Sequence, residues 1–399
     1  MVIKCDVLVV GAGASGSVCA LKLAKEGFNI VVVEKESCVG CHTKPKIDIT
    51  EDKDLDKIIN ELNLPILLKT NKSKWFSRNN SFIWESKVSD LYFKRGPSTD
   101  SFEVSVMNAA IDNGANLYLE TELKKFNFRN NTIDSVKTNN KTIKPKIVIG
   151  ADGFESSVLK NLQIKERRIV TIAGHGIAGE NFNLPEAETH IFFNSKNAPG
   201  GYFFVAKTKD DEGVACVVTE KSLANEPLKK YYEIFIKENE PLKEILKNPT
   251  VRNEFSGMSH AGFLEKRTSG NVILVGDAAR TLDPLLGYGM RNSIVSGYIA
   301  AEIVAKALEK DNIKKLEEYE KELISRVSNF SQRAKMRKVF RKLNNEDFDH
   351  IVETLRDLQE QGADLDNLFN RKQILIRNTL KNIPRNLRLG LKAVSAFLR

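Results

Sequence analysis

The sequence predicts an α/β protein: a Rossmann-like dinucleotide-binding unit, an antiparallel-sheet unit and a helical C-terminal region. Three observations carry this. Near the N-terminus an apolar run leads into Gly11-Ala12-Gly13-Ala14-Ser15-Gly16 and then a helical pattern. Residues 168–219 alternate apolar and polar positions between Gly and Pro breaks, as a half-buried antiparallel sheet does. Residues 312–399 are rich in Lys, Glu and Leu and helical in character.

The first element, Cys5 to Val10, is almost wholly apolar, as expected of a strand buried on both faces of a parallel sheet. Gly11, Gly13 and Gly16 follow with G-x-G-x-x-G spacing. The first permits a tight turn, the second lets backbone approach a pyrophosphate, and the third lets the helix pack on the strand. Ser15 to Glu26 reads as that helix, its free N–H groups and dipole favouring phosphate. Asn29 to Val33 is the next strand. Glu34 ends it about twenty residues after the glycines, placed to accept hydrogen bonds from a ribose diol. Strand before, helix after and acid behind make the motif specific, but they do not separate FAD from NAD.

Composition narrows the class. The 399 residues suffice for two or three domains with sizeable cores, and 41% hydrophobic with 28% charged residues is globular usage. No apolar run approaches the roughly eighteen residues that span a bilayer. The first strand starts at the N-terminus, so no signal peptide is expected. Five scattered cysteines argue against a disulfide framework and for a reducing compartment, hence a cytoplasmic protein. Net charge is +9, and Arg371 to Arg399 holds eight Lys or Arg and no acid. Such a tail suits an acidic partner surface; without interleaved aromatics, nucleic acid is the weaker option.

Along the chain, Cys38-Val39-Gly40-Cys41-His42 matches the haem-attachment string C-x-x-C-H, but a chain without an export signal is not expected to carry such a haem. A redox or metal role is open; solvent-side loop cysteines are the simpler expectation. Residues 52–62 read as a helix, and Lys74–Ser77, Phe82–Glu85 and Ser89–Phe93 as strands. After Arg95-Gly96-Pro97, residues 98–113 form an amphipathic helix closed by Gly114. Strands follow at Ala115–Leu119, Lys124–Phe128 and Ile143–Ile149, the last ending in Gly150-Ala151-Asp152-Gly153. Leu228 to Glu238 is helical. Val272–Val275 is a buried strand entering Gly276-Asp277-Ala278-Ala279. Asp283-Pro284-Leu285-Leu286-Gly287-Tyr288-Gly289-Met290 is a Gly-rich turn before a long helix to about Lys310, whose N-terminus suits an anion.

Three motifs in this order resemble those of FAD-dependent oxidoreductases with the para-hydroxybenzoate-hydroxylase-like fold: Gly11–Glu34, Asp152-Gly153 and Gly276-Asp277. Within them, GADGFESS, APGGYFF and VGDAARTLDPLLGYGMRNSIVSGYIAA resemble the archaeal geranylgeranyl reductases, including digeranylgeranylglycerophospholipid reductases. The resemblance covers roughly residues 1–310. It implies a Rossmann-like FAD-binding domain in 1–165 and 262–310 and an antiparallel-sheet substrate domain in 166–261, joined by strands near 64–95. Residues 311–399 make the helical C-terminal region. It implies FAD contacts at Gly11, Ala12, Gly13, Ala14, Ser15, Gly16, Glu34 and Lys35. Further contacts fall on Arg95, Leu123, Asp152, Gly153, Gly276, Asp277, Pro284, Gly287, Gly289 and Met290. Arg95 read by itself is equally a solvated loop arginine.

The chain departs from that family in three places. A cysteine expected in a KPCG-like setting is missing from Lys44-Pro45-Lys46-Ile47, unless Cys38 or Cys41 replaces it. The Y-x-W-x-F-P motif becomes Tyr202-Phe203-Phe204-Val205-Ala206-Lys207. A G-x-G-G-like turn reads Gly287-Tyr288-Gly289.

The implied chemistry is hydride delivery from reduced flavin to a carbon–carbon double bond of a geranylgeranyl lipid. Tyr202, Phe204 and His175 are candidates to line the substrate tunnel, although His175 in a Gly-rich strand is more often structural. No residue stands out as a general acid or as a metal site. The electron donor is open between ferredoxin and a reduced nicotinamide. Ile374, Leu380, Ile383, Leu387, Leu391, Val394 and Leu398 recur near helical spacing among basic residues. They read either as an interfacial helix at the inner face of a membrane or as a core-packing helix. A flavin monooxygenase and a non-enzymatic prenyl-lipid escort are the alternatives. Intact glycine motifs argue against the escort.

Overall fold

A computed structural model describes residues 2–51, 55–327 and 330–362. The chain opens with β1 (Val2–Val10), α1 (Ala14–Lys25), β2 (Ile30–Val33), β3 (Lys46–Glu51), α2 (Asp56–Leu62), β4 (Leu68–Phe76) and β5 (Ser81–Arg95). Next come α3 (Phe102–Asp112), β6 (Asn116–Tyr118), β7 (Leu123–Arg129), β8 (Thr132–Thr138), β9 (Thr142–Gly150) and α4 (Ser157–Leu162). Then follow β10 (Glu166–Glu180), β11 (Glu188–Phe192), β12 (Tyr202–Lys207), β13 (Gly213–Glu220), α5 (Leu228–Lys237), α6 (Glu240–Ile245) and β14 (Thr250–Leu264). The described chain closes with β15 (Thr268–Ser269), β16 (Val272–Leu274), α7 (Met290–Glu309), α8 (Glu318–Arg326), α9 (Phe330–Phe340) and α10 (Asn345–Glu360).

The first sheet has a parallel centre in the order β16-β9-β1-β2-β6, with β15 antiparallel at one edge. Side chains alternate along a strand, so an apolar run must be covered twice. Val7 and Val9 of β1 pack into the core formed with α1, α3 and α7, while Leu8 and Val10 pack with the β7–β8 ribbon and α4. That is why the opening strand reads as continuously apolar. Helix α7 crosses the start of α1 so closely that a Cβ at Gly297 would lie 2.3 Å from the carbonyl oxygen of Ser15.

The second sheet runs β14-β10-β13-β12-β11-β4-β5-β3. It is antiparallel except for β11 beside β4, where Thr189 to Phe192 run parallel to Ser73 to Phe76. One face is covered by α5 and α6 through Phe203, Tyr232 and Phe235. The other carries Ile172, Tyr202 and Cys216 and meets α10, whose Phe348 stacks on Phe193 at 5.0 Å.

Several expectations need correction. The segments between 74 and 93 are parts of two long strands, β4 and β5; the expected 52–62 helix is α2 over Asp56–Leu62, and residues 52–54 lie outside the described residues. Strands β3, β8 and β14 were not foreseen. Strand β14 shows no regular apolar alternation because only four of its fifteen residues are buried; backbone pairing to β10 holds it. The expectation of free cysteines fails at one pair: Cys38 and Cys41 are joined in a disulfide, their Cα atoms 5.4 Å apart, while Cys5, Cys19 and Cys216 are buried thiols. The amphipathic segment from Ile374 to Leu398 lies outside the described residues. Among the described residues, no helix is long and apolar enough to cross a membrane.

Candidate functional site

The glycine loop after β1 is built as its spacing requires. Gly11 has φ +105°, and a Cβ there would sit 2.5 Å from the carbonyl oxygen of Ala151. At Gly16 a Cβ would come within 2.1 Å of the oxygen of Gly11. Gly13 differs: nothing lies within 4 Å of its Cβ position, so the loop leaves open space in front of α1. Helix α1 begins without a side-chain cap and without an acid in its first turn. Its N–H groups therefore face that space with their dipole unopposed. Helix α7 starts the same way behind Gly289. A pyrophosphate fits such a cradle.

Three sequence motifs meet here. The Ala151-Asp152 turn packs on Gly11, and a Cβ at Gly276 would lie 2.5 Å from Ser15 Oγ. Ala12 and Ala14 are buried beside them. Glu34 is half-buried; its Oε2 accepts the Ala12 N–H at 2.8 Å and its Oε1 the Glu36 N–H at 3.1 Å. Lys35 points to solvent. The Thr121 N–H donates to the Glu34 carbonyl at 2.8 Å, which brings the start of β7 and Leu123 beside the acid. Asp152 caps α4: its carboxylate accepts from Ser156 Oγ at 2.6 Å and from the Val158 N–H at 3.0 Å.

Asp277 lies just after β16, and its Oδ2 accepts from Ser259 Oγ at 2.6 Å. Burial pushes its carboxyl up, opposed by the Ser259 hydrogen bond and by Arg95. The charge of Arg95 thus reaches Asp277. It is the last residue of β5 and not a loop residue, with ion pairs to Asp48 and Glu103. Asp48 belongs to β3, which explains why no signal near Arg95 disclosed the partner.

Beyond Asp277, the 283–289 turn closes on itself. Asp283 N–H donates to the Tyr288 carbonyl at 2.9 Å, and Asp283 Oδ2 accepts the Leu286 N–H at 2.7 Å. Pro284 and Met290 are buried at its ends. Gly287 takes φ +84° against Ile172, and Gly289 sits under Leu282. This turn forms one wall of a cavity of about 230 Å³. Trp75, Trp84, Ile191, Leu286, Phe330 and Met336 make it largely apolar, and Glu51, Asp90, Tyr288 and Arg333 give it polar points. Helix α9 roofs it. Arg333 grips Asp283 with Nη2 to Oδ2 at 3.0 Å, and Arg337 donates Nη1 to the Leu285 carbonyl at 2.9 Å.

The three substrate candidates stand differently. Tyr202 is buried, and its hydroxyl donates to the Leu286 carbonyl at 2.7 Å, so it supports the cavity wall from behind. Phe204 packs beside Tyr202, 6.3 Å between ring centroids. His175 points to the opposite face of the sheet. It contacts Tyr232 of α5 and bonds Ser256 Oγ at 2.8 Å, while its neighbours Gly174 and Gly176 share the face of Ile172. Period-two alternation takes it away from the cavity; burial holds its pKa down despite Glu254. Sequence reasoning missed Asp90, Glu51, the two tryptophans, Arg333 and Arg337. The arginines, spaced i and i+4 in a basic helix, look like any solvated pair.

The fold and this site define a dinucleotide-dependent oxidoreductase. The chain belongs to the FAD binding domain family, whose model matches residues 97–334, more than half of it; a model of the NAD(P)-binding Rossmann-like domain matches residues 9–59. FAD is its cofactor. The chain is 25% identical over 414 residues to digeranylgeranylglycerophospholipid reductase 1 of Methanococcoides burtonii, covering 99% of each. A solved geranylgeranyl bacteriochlorophyll reductase-like protein from Thermoplasma acidophilum shares the fold with TM-score 0.79 and 23% identity. That likeness covers 89% of this chain and 92% of that one. PqsL of Pseudomonas aeruginosa, a probable FAD-dependent monooxygenase, aligns with TM-score 0.71 and 16% identity over 88% of this chain and all of its own.

Proposed function

We propose that the protein saturates carbon–carbon double bonds in the geranylgeranyl chains of isoprenoid ether lipids. The observation that carries this reading is a largely apolar cavity bounded by the Gly-rich 283–289 turn, in a chain similar over its whole length to digeranylgeranylglycerophospholipid reductases. In this reading Gly11 to Gly16 and Glu34, with Lys35 and the backbone at Leu123, hold the ADP half of FAD. Arg95, Asp152, Gly153, Gly276 and Asp277 hold its middle, and Pro284, Gly287, Gly289 and Met290 face its ring end. Residues 1–165 and 262–310 form the FAD unit, residues 166–261 with the strands near 64–95 the substrate unit, and residues 311–399 a helical region.

Reduced flavin supplies a hydride. The chain's own residues do the rest. An isolated alkene has no oxygen for an oxyanion hole to polarise, so positioning and a proton source must carry catalysis. The tryptophan-lined cavity binds and orients an apolar chain and excludes water, and α9 closes over it. Electrons come from an external donor, a ferredoxin or a reduced nicotinamide.

Anaerobic incubation of chemically reduced protein with a digeranylgeranylglycerol lipid tests the reading by mass spectrometry. The expected product gains two hydrogens for each double bond reduced. An unchanged lipid, or a hydroxylated one formed only with oxygen, would overturn it in favour of a monooxygenase. The basic segment from Arg371 supports a peripheral place at the inner membrane face. A chain truncated before Arg371 is expected to lose binding to anionic vesicles while keeping its FAD; undiminished binding contradicts that placement.

A further inference from the structure

The cavity wall holds two carboxyl groups side by side. Glu51 on β3 and Asp90 on β5 are direct partners in the antiparallel register, so their side chains emerge together on one face. Both line the cavity, as does the 283–289 turn. On its other flank Asp90 meets Thr70 of β4, whose hydroxyl donates instead to the Ala187 carbonyl at 2.9 Å. Among the described residues the Asp90 carboxyl makes no hydrogen bond and no ion pair, whereas Glu51 feels Arg333. Two carboxylates side by side cannot both ionise cheaply, so burial and the neighbouring Glu51 favour the protonated form of Asp90.

We propose that Asp90, opposed by Glu51 in the cavity wall, is the acid that protonates the alkene during its reduction. This rests on the alkene-reducing function proposed above. The other polar groups on the cavity are poor donors. Burial pushes the Tyr288 phenol well up. The carboxylate of Asp283 is engaged as acceptor by Arg333 and the Leu286 N–H. Arg291 and Arg333 hold their protons too tightly to act as acids. Asp90 carries its proton near neutrality: burial and then Glu51 push it up to about 7.

The step balances as follows. The O–H bond of Asp90 breaks as the π pair forms a C–H bond at the less substituted alkene carbon. Positive charge develops on the more substituted carbon, where the hydride from reduced flavin adds. The aromatic rings of Trp75 and Trp84, which line the same cavity, favour that charge. Flavin ends oxidised, the lipid gains two hydrogens, and the Asp90 carboxylate regains a proton from solvent. Among the described residues, the charged and titratable groups around Asp90 are Glu51 on β3, Tyr92 on its own strand, Tyr288 and Asp283 on the turn, Arg291 on α7 and Arg333 on α9.

Two measurements on the FAD-loaded full chain test this. Infrared difference spectra should show a protonated carboxyl band that disappears as pH rises through about 7 and is absent from Asp90→Asn. Anaerobic reoxidation of reduced protein by the digeranylgeranylglycerol lipid should slow at least about 100-fold in Asp90→Asn. FAD content equal to wild type marks that variant as folded. Glu51→Gln, which removes the like charge, should move both the band and the fall of rate with rising pH to lower pH. An Asp90→Asn protein within about threefold of wild type, or a wild-type spectrum without the band, overturns the assignment of Asp90 alone. A wild-type protein that binds FAD and never converts the lipid overturns the function proposed above, and the role of Asp90 with it. If Asp90→Asn fails to retain FAD, the Glu51→Gln shift decides: no shift overturns the proposal.

Discussion

Arg337→Met is expected to destabilise the protein by about 3 kcal/mol, the low end for breaking a buried ion pair. Arg337 and Glu220 are each about 3% exposed in their side chains and paired at 2.8 Å. The guanidinium also donates to the Leu285 and Gly200 carbonyls, so a single side chain ties α9 to β13, to the APGG turn and to the cavity wall. Methionine fills the stem's volume but leaves Glu220 Oε2 as an uncompensated buried charge. Arg341 and Ser222 still serve Oε1, at 2.9 and 2.6 Å, which keeps the loss from being larger. Thermal melting at saturating FAD should fall by several degrees. Adding Glu220→Gln should recover much of that, because the stranded charge is gone. A single variant that melts like wild type would show that the pair contributes nothing net.

Gly13→Val is expected to weaken FAD binding by at least about 100-fold, roughly 2.7 kcal/mol, while leaving the apoprotein folded. Gly13 has φ −74° and ψ −177°, ordinary extended backbone, and its Cβ position is open. The added isopropyl group therefore meets no protein atom and occupies the space in front of α1 instead. Gly16→Val is the contrast. Its Cβ would lie 2.1 Å from the Gly11 oxygen, so that variant should fail to fold with or without cofactor. FAD titration followed by fluorescence, beside apoprotein melting curves, separates the two. Unaltered affinity in a folded Gly13→Val would place the pyrophosphate elsewhere.

The pattern of these effects follows how structure is written along the chain. The β1–glycine–α1 unit is contiguous, and its glycine spacing between an apolar strand and a helical pattern is local, so it was readable. The Gly276-Asp277 and Asp152-Gly153 turns were readable as motifs, but only packing sets one on Ser15 and the other on Gly11. Strand β3 was missed because Lys46–Glu51 is short and has only Ile47 and Ile49 as apolar residues, and it pairs with the end of β5. His175 was a plausible pocket residue until the strand's register turned it toward α5.

By itself the sequence determined the cofactor-binding half of this protein: helix-start glycines, buried parallel strands and the acid after β2 are local patterns with periods of 3.6 and two residues. The tertiary structure alone decided the cavity. Glu51 and Asp90 become partners through an antiparallel register spanning 39 positions of chain, and α9 becomes a roof because Arg333 and Arg337 find Asp283 and Glu220 far upstream. Local pattern sets which face of an element is buried; only packing between distant elements sets what that face meets.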